Sequence, residues 1–378
     1  MKRKIEEVVK HFEIDGELVS VSENAQGNIN STYLLTFAMK QGRTKYLLQK
    51  INSNVFKQPY LVMKNIGLVS KHIKAKLAKE SSNEYQTLTY VLTKTGELMY
   101  THINSAGEKE YYRVYEYIDD CISYNNFAEC EDPEYIAYNA GKSFGNFHKL
   151  LSDFPVSMLA ETIPDFHNTS KRFEALLVAI EDGITNRAFE CPEEIVYLIS
   201  KIKEYSVICD KLGKTIPVRV THNDTKLNNI LMSKTTHKGV AVIDLDTVMP
   251  GSILFDIGDG IRSACANSFE DEKDANKIFL NIDLTKAYLR GYLEEMATAL
   301  TKEEICCIGL SIRILTYELA LRFLTDYINN DTYFKIKYKE HNKDRFMNQY
   351  ILLRDVERKA DEINEFVSEM YRTIMKAS

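Results

Sequence analysis

The sequence lacks several features that would place it in particular classes of protein. Its seven cysteines show no C-x-x-C pair and their number is odd, which argues against structural zinc and for free thiols. No stretch approaches the roughly 18 apolar residues of a membrane span. The basic start, M-K-R-K, is not followed by an apolar core of signal-peptide length. We therefore expect reduced thiols, no membrane contact and a cytoplasmic location.

An excess of positive charge is also missing. The formal net charge is -6, whereas a dedicated nucleic-acid binder usually carries a basic domain or stripe. We therefore expect no nucleic-acid partner, although an anionic nucleotide stays compatible with this balance because local clusters decide its binding. The 378 residues, 44% of them hydrophobic, suffice for a globular chain of two domains.

The first 118 residues are predicted to form strands around one long helix. Alternating or apolar runs predict strands at residues 18–23, 33–37, 45–50, 97–103 and 111–118. A helix is predicted from Pro59, because apolar residues then recur every three or four positions as far as Leu77.

Beyond residue 118 the pattern is mainly helical. Asp132 and Pro133 form a helix start, and an amphipathic stretch covers 192–212. Short strands are predicted at 218–220, 230–232 and 240–245. We therefore predict an α+β chain of two lobes, a small β-rich lobe over 1–118 and a larger helical lobe over 119–378.

The most informative segment is V-T-H-N-D-T-K-L-N-N-I, at residues 220–230. Asp224 follows an apolar strand, Asn229 comes five residues later, and Asp244 ends the next strand. Phosphoryl transfer from a magnesium nucleotide needs one acid to accept the proton of the attacking hydroxyl, and an amide and a second acid for the metal. We therefore predict Asp224 as catalytic base and Asn229 and Asp244 as magnesium ligands. The alternative for Asp224 is an Asx-turn that only shapes the loop.

Three neighbouring residues have roles that the sequence leaves open. Asp246 is a further metal ligand if the strand continues, because it would then share a face with Asp244; otherwise it is a turn-forming acid. His222 is interpreted as packing and bonding the catalytic loop, with a general base as the alternative. Asp256 is interpreted as a brace for the backbone N–H groups of that loop.

Candidate nucleotide contacts lie in the small lobe. Asn28, Asn30 and Thr32 belong to a polar loop that would cover the phosphates with backbone N–H groups, although a plain hairpin loop has the same composition. Lys50 ends the third strand and is either a phosphate-pairing lysine or a solvated one. The helix that follows has no acid between residues 51 and 79, so the glutamate that pairs this lysine in protein kinases is missing.

The last strand of the small lobe ends where the two lobes would join. Glu116, Tyr117 and Ile118 could bond an adenine there through their backbone. This role requires no particular side chain, so position alone supports it.

Candidate acceptor contacts lie in the large lobe. Glu318, Arg322 and Asp326 recur every four residues and share one helix face. They form either an exposed salt-bridge ladder or, because their neighbours are apolar, a polar row facing a cleft. His167 either projects towards a substrate or shapes a loop. We predict His167, Arg322 and Asp326 as substrate residues.

These motifs resemble the aminoglycoside phosphotransferase and choline kinase family of small-molecule kinases and, within it, the N-acetylhexosamine 1-kinases. The fragments that carry the resemblance are H-N-D at 222–224 with Asn229, V-I-D-L-D-T-V-M-P-G at 242–251, Q-K-I-N at 49–52, P-D-F-H at 164–167 and R-F-L-T-D-Y at 322–327. They spread over most of the chain.

The resemblance implies a bilobal protein-kinase-like fold with ATP and Mg²⁺ between the lobes. It implies transfer of phosphate to the anomeric hydroxyl of N-acetylglucosamine or N-acetylgalactosamine, with Asp224 as base and Asn229 and Asp244 on the metal. Members of the family often have arginine at the position of Lys50 and glutamate at that of Lys64, so this chain departs from them at the phosphate-pairing residues.

Two other hypotheses are kept. The same chemistry could serve another small alcohol, such as a different sugar, an aminoglycoside or choline. A non-catalytic nucleotide-binding module is the third hypothesis. In each case we expect a monomer, with a dimer as the alternative.

Overall fold

An antiparallel sheet dominates the N-terminal part of the computed structural model, which describes residues 2–24, 29–79, 84–127 and 130–377. Its strands are β1 (Glu17–Asn24), β2 (Ser31–Ala38), β3 (Arg43–Ile51), β4 (Tyr90–Val91), β5 (Tyr100–Ile103) and β6 (Lys109–Glu116). They are ordered β1-β2-β3-β6-β4, with β5 also paired to β6. Each strand predicted before residue 118 overlaps one of these strands, and β4 was not predicted.

Side-chain alternation gives this sheet two different faces. On the outer face, helix α1 (Lys2–Val9) covers a cluster of apolar residues from β2, β3 and β6: Tyr33, Leu35, Phe37, Tyr46, Leu48, Tyr112 and Val114. Residues that alternate with these, such as Gln49 and Arg113, point to the inner face, towards the rest of the chain.

Lys50 lies on the outer face of the sheet, together with Leu48. Its Nζ is 2.9 Å from Oε1 of Glu110, and Lys4 of α1 pairs with the other carboxylate oxygen. The structure therefore corrects the prediction that Lys50 pairs with nucleotide phosphates, because the period of two along β3 turns Gln49, and not Lys50, inwards.

Helix α2 (Pro59–Leu77) joins the sheet to the rest of the chain. It begins at a proline, and its predicted apolar stripe from Val62 to Ile73 is buried in the same cluster as the C-terminal helices. Its buried Asn65 donates to the carbonyls of Ala160 and Val248. By packing, α2 thus belongs to the large core, and the boundary near residue 119 stays a prediction.

Helices form most of the C-terminal part. They are α3 (Pro133–Leu150), α4 (Thr169–Asp182), α5 (Pro192–Tyr205), α6 (Val207–Lys211), α7 (Ile253–Ala264), α8 (Ile282–Met296), α9 (Lys302–Ile328), α10 (His341–Arg358) and α11 (Ala360–Ala377). The predicted stretch 192–212 is therefore two helices. α3 and α8 approach closely because Gly141 and Gly291 face backbone carbonyls, where a Cβ atom would lie only about 2 Å from the facing oxygen.

Short strands frame the segment that carries the catalytic motif. β8 (Arg219–Thr221) pairs with β11 (Met249–Gly251), and β9 (Ile230–Ser233) lies between β10 (Gly239–Val242) and β7 (Cys121–Ile122). β10 ends at Val242, earlier than predicted, and Asp244 has a left-handed backbone with φ 60°. Asp244 and Asp246 therefore do not share a strand face, and the geometric argument for two neighbouring metal ligands fails.

Two expectations from the sequence concern membrane spans and the state of the cysteines. Within residues 2–24, 29–79, 84–127 and 130–377, no helix combines the length and apolarity that a membrane span requires. All seven cysteines lie in these ranges, and none forms a disulfide.

Replacing Glu110 by glutamine should destabilise the protein at neutral pH by about 1 kcal/mol, a small value because its lysine partners are over a third exposed and screened by solvent. Burial alone would raise the pKa of Glu110, but hydrogen bonds from Lys4, Lys50 and Tyr112 lower it from 4.5 to about 2. The stabilisation is therefore present above pH 4.5 and disappears as the pH falls towards 2.

Urea unfolding at several pH values measures this dependence. The difference between wild type and Glu110→Gln should shrink below pH 4.5, whereas the exposed control Glu108→Gln should show little difference at any pH. A difference that stays constant as the medium is acidified would contradict the placement of Lys50 on Glu110.

Candidate active site

A cavity between the inner face of the sheet and the helical part collects the predicted catalytic and metal residues. Asp224, Asn229 and Asp244 line it together with Gln49 of β3 and Lys226. The chain separates these residues by up to 195 positions, so the cavity exists only because the sheet folds over the segment from 220 to 247.

The catalytic loop is held in a tight turn by its own polar groups. Asn223 adopts a left-handed backbone with φ 64°, and its side chain donates to the carbonyl of Thr247 at 2.8 Å. The side-chain Nδ2 of Asn229 donates to the backbone carbonyl of Asp224 at 2.8 Å and to its Oδ2 at 3.2 Å. The amide oxygen of Asn229 is a separate atom that can still act as a metal ligand.

Asp256 braces this loop from beneath. Its carboxylate accepts the backbone N–H of His222 at 2.6 Å and that of Asn223 at 2.7 Å. His148 of α3 lies 2.8 Å from the same carboxylate through Nε2, and its Nδ1 is 2.8 Å from the hydroxyl of Tyr292. These contacts agree with the bracing role interpreted from the sequence, and they add His148 as a residue that the sequence analysis missed.

His222 is buried and connects the loop to the strand before Asp244. Its Nδ1 accepts the N–H of Asp224 at 3.2 Å, and its Nε2 is 2.9 Å from the carbonyl of Ile243. Nδ1 is therefore the unprotonated nitrogen and Nε2 carries the hydrogen. Both nitrogens are used by the backbone, in agreement with the structural interpretation of His222.

Lys226 brings a positive charge next to the predicted base. Its Nζ is 2.8 Å from Oδ1 of Asp224, and the charge of Asp224 is the largest cause of the raised pKa of this lysine. Lys226 lies inside the motif at residues 220–230 but carries no predicted role. Its position two residues after Asp224 was the available signal.

Asp244 lines the cavity, and its backbone is in the left-handed conformation. Burial among the cavity walls raises the pKa of Asp244 to about 7, and the negative charges of Asp246 and Asp224 add to this effect. A bound cation would stabilise the charged form of Asp244.

The donor atoms present fit a magnesium ion. Within the described ranges no cluster of three or more His, Cys, Asp or Glu residues forms a complete cage for a metal. Mg²⁺ typically takes one or two protein carboxylates and completes its shell with water and substrate phosphates. Asp244 and the amide oxygen of Asn229 are hard oxygen donors of this kind.

Asp246 is engaged by the protein itself. Its Oδ2 accepts from the side-chain amide of Asn30 at 2.6 Å, and its Oδ1 pairs with the guanidinium of Arg113. Both oxygens thus have partners in the protein, although Asp246 also lines the cavity, and its role as a metal ligand stays a prediction. The side chain of Asn30 is equally occupied, because its Oδ1 accepts the N–H of Asn52 at 2.9 Å.

Arg113 supplies the inner face of the sheet with its buried cation. It donates through Nε and Nη2 to Oε1 of Gln49, at 2.9 and 2.7 Å, and Gln49 in turn donates to Thr32 at 3.1 Å. Thr32 thus lies on the cavity side but contacts Gln49. In the sequence, Arg113 lies in the middle of a predicted strand with aromatic and apolar neighbours. A charge at such a position requires a partner, and this was the available signal.

The remaining nucleotide predictions concern backbone groups. The N–H groups of Glu116 and Tyr117 donate to the carbonyls of Thr89 and Lys45, so the sheet itself uses two of the donors predicted for adenine. The prediction of adenine binding therefore depends on Ile118 and on the backbone carbonyl groups. Asn28 lies outside the described residues, and its predicted contact with phosphates stays a prediction.

His167 lines a second cavity, which adjoins the catalytic loop at Asn223. Its Nδ1 is 3.0 Å from Oε2 of Glu318 on α9, while its buried Nε2 has no hydrogen-bond partner within the described residues. Glu318 also accepts from Thr169 at 2.5 Å. Glu318 therefore fixes the ring of His167 with one nitrogen available for a ligand.

Arg322 and Asp326 lie further along α9 and differ in their availability. Arg322 lines a third cavity, with its guanidinium over the rings of Tyr333 and Phe334. Asp326 is buried and accepts the N–H groups of Tyr333 and Phe334 at 2.7 and 2.9 Å. Because its oxygens are saturated by the chain, Asp326 shapes this cavity, which corrects its prediction as a substrate contact.

Comparison with solved structures identifies the fold. The chain resembles a microcompartment-associated aminopropanol kinase (12% identity, TM-score 0.57, 96% of this chain and 99% of that one). It also resembles an amicoumacin kinase in complex with AMP-PNP and Ca²⁺ (15%, 0.57, 96% and 93%) and a choline kinase from Cryptosporidium parvum (13%, 0.57, 96% and 97%). The predicted protein-kinase-like fold, with its β-rich N-terminal and helical C-terminal parts, is thus confirmed.

The sequence itself matches the family described as the phosphotransferase enzyme family (APH) over residues 20–298. This match covers more than half of the chain, and the chain belongs to that family. It is accordingly a small-molecule kinase that acts on alcohol groups, as its catalytic motif predicted.

Removing the carboxylate of Asp246 should be strongly destabilising. Asp246→Ala leaves the guanidinium of Arg113 buried without its partner, and such a loss costs about 3–5 kcal/mol. The midpoint of urea or thermal unfolding measures the effect. The double variant Arg113→Met/Asp246→Leu should recover much of the stability because no charge stays buried, and a single variant as stable as wild type would contradict the ion pair.

Proposed function

We propose that this protein transfers the γ-phosphoryl group of ATP to the anomeric hydroxyl of an N-acetylhexosamine, giving the sugar 1-phosphate and ADP. The observation that carries the phosphoryl-transfer part is the convergence of Asp224, Asn229 and Asp244 on one cavity. The observation that carries the acceptor is the sequence run from Asp244 to Gly251, which resembles that of N-acetylhexosamine 1-kinases.

In the proposed reaction Asp224 accepts the proton of the acceptor hydroxyl. The sugar oxygen then forms its bond to the γ-phosphorus while the bond to the bridging oxygen of ADP breaks. Lys226, held on Oδ1 of Asp224, offsets negative charge at the transferring group. Asn229 keeps the carboxylate oriented through its contact with Oδ2.

Asn229 and Asp244 would hold Mg²⁺ in this proposal. The ion supplies charge neutralisation across the nucleotide phosphates. Asp244 suits this role because burial and neighbouring carboxylates raise the pKa of its own carboxyl, which a bound cation would reverse.

The acceptor would enter from the cavity lined by His167. Its buried Nε2 can bond a sugar hydroxyl or an acetamide group, and the ring lies against Phe255 with centroids 5.2 Å apart. A neutral, hydroxyl-rich ligand fits these groups, because a polar atom next to an aromatic wall is the usual composition of a small-molecule site.

A cationic acceptor is the second candidate, and one observation favours it. Glu161 and Asp165 line the same cavity as Phe166 and Phe255, and carboxylates beside aromatic rings are the groups that bind an ammonium ion. An amino alcohol or choline would use them, whereas an N-acetylhexosamine would not need their charge.

Asp224→Asn should keep the fold and nucleotide binding but lose nearly all turnover. The amide keeps the shape of the carboxylate but cannot accept the proton. Coupled detection of ADP measures turnover, and stabilisation against heat by Mg-ATP measures binding. Asp361→Asn, an exposed aspartate at the start of α11, is the matched control and should stay fully active.

Near-normal activity of Asp224→Asn would overturn the role of that residue. Stabilisation of the wild type by Mg-ATP without turnover on any acceptor would instead indicate a nucleotide-binding module.

A panel of acceptors should identify N-acetylglucosamine or N-acetylgalactosamine as the best substrate. The panel includes the unacetylated sugars, an aminoglycoside, choline and aminopropanol, with ATP consumption as the readout. ³¹P NMR of the product should give an anomeric phosphate. Preferred turnover of choline or aminopropanol would select the cationic alternative, and a phosphate on another hydroxyl would exclude the 1-kinase.

A further inference from the structure

The cavity lined by Arg172 and Arg322 contains two positive charges that the protein does not neutralise directly. It has a volume of about 180 Å³ and lies between α4 and α9. Neither arginine takes part in an ion pair with any carboxylate in the described ranges, although most other arginines there do. Charges partly withdrawn from water usually have a partner, so this pair requires an explanation.

Two acids of α9 lie near these arginines, and one of them, Asp326, lines the cavity itself, but both accept hydrogen bonds from other groups. Glu318 accepts from His167 and Thr169, and Asp326 accepts from backbone N–H groups and from Asn342. Burial and the neighbouring charge of Arg322 lower the pKa of Arg172, and the attraction of Glu318 does not outweigh them. Among the charged residues that line the cavity, Arg172 and Arg322 outnumber Asp326, which leaves an excess of one positive charge.

Hydrogen-bond donors in the cavity are also left over. Nη2 of Arg172 donates to the carbonyl of Phe166 at 2.9 Å, but its buried Nε has no partner among the described residues. The buried hydroxyl of Thr325 is in the same situation. The rings of Tyr333 and Phe334 lie 5.8 and 5.4 Å from the guanidinium of Arg322 and hold it in place.

We propose that this cavity binds an oxyanion, a phosphate, sulfate or carboxylate group, between Arg172 and Arg322. Guanidinium groups bind such ions through paired N–H donors, and Thr325 adds a hydroxyl. The site adjoins the cavity that contains Asn223, because Phe166, whose carbonyl accepts from Arg172, also lines that cavity. The anion is either free or a substituent of the acceptor, and only the second source rests on the proposed function.

The first experiment uses inorganic phosphate and requires no turnover. It is done in a Lys226→Gln background, so that phosphate does not bind beside Asp224, with sodium chloride at equal ionic strength as reference. We expect phosphate, but not chloride, to raise the unfolding temperature and to give saturable heat in calorimetry. Arg322→Gln and Arg172→Gln should each weaken phosphate about tenfold, the value of one charged hydrogen bond. Lys171→Gln, an exposed neighbour of Arg172 on α4, should not.

The second experiment compares acceptors with and without an anionic group. The KM of N-acetylglucosamine is measured against that of its 6-phosphate and 6-sulfate in wild type, Arg322→Gln and Lys171→Gln. If the anion is a substituent of the acceptor, the charged sugars should have a lower KM than N-acetylglucosamine in wild type. This difference in KM should be lost in Arg322→Gln and kept in Lys171→Gln.

Phosphate binding that is unchanged in both arginine variants would overturn the proposal, because the anion would then bind elsewhere. Phosphate binding that depends on both arginines supports a free anion as the ligand. A KM that depends on the charge of the sugar, without binding of free phosphate, supports a substituent of the acceptor as the ligand. If phosphate does not bind and the charged sugars have no advantage, the proposal is overturned. The comparison with chloride in the Lys226→Gln background decides this even if an arginine variant fails to fold. An inactive enzyme that still binds phosphate would contradict only the proposed function.

Discussion

The buried carboxylate of Asp246 is the contact on which the geometry of the candidate active site depends. It lies directly after Asp244 and Leu245, and it pairs with Arg113 of the sheet and Asn30 of the loop before β2. Because a buried ion pair is costly to break once one partner is fixed, this contact holds the inner face of the sheet over the turn that contains Asp244. From the sequence alone, the same carboxylate is an equally good candidate for a metal ligand.

A second carboxylate, Asp256, does the corresponding work beneath the catalytic loop. It accepts two consecutive backbone N–H groups and contacts His148 of α3. The left-handed turn of the loop is therefore supported by a residue over thirty positions away. Four acids that look alike in the sequence thus have different positions in the structure. Asp246 and Asp256 hold the site together, whereas Asp224 and Asp244 face the cavity.

Local patterns predicted much of the fold because local physics decides it. Proline and a capping aspartate start α3, an apolar stripe marks α2, and alternation marks β2, β3 and β6. Errors arose where a decision is not local. Lys50 was assigned to the cavity although its strand neighbour Leu48 belongs to the outer core, and Asp326 was assigned to a substrate although a loop several residues later occupies it. Arg113 was missed because its partner is 133 residues away.

The sequence by itself determined the chemistry: the spacing of Asp224, Asn229 and Asp244 indicates phosphoryl transfer, and the family match agrees with it. Tertiary structure alone decided which polar groups are left over for ligands. Each carboxylate or guanidinium can satisfy only a few partners, and which partners come near depends on how the sheet and helices pack. For this reason the oxygens of Asp246 and Asp326 accept from the protein. Nε2 of His167, in contrast, has no partner among the described residues, and Arg322 lines a cavity without an ion-pair partner there.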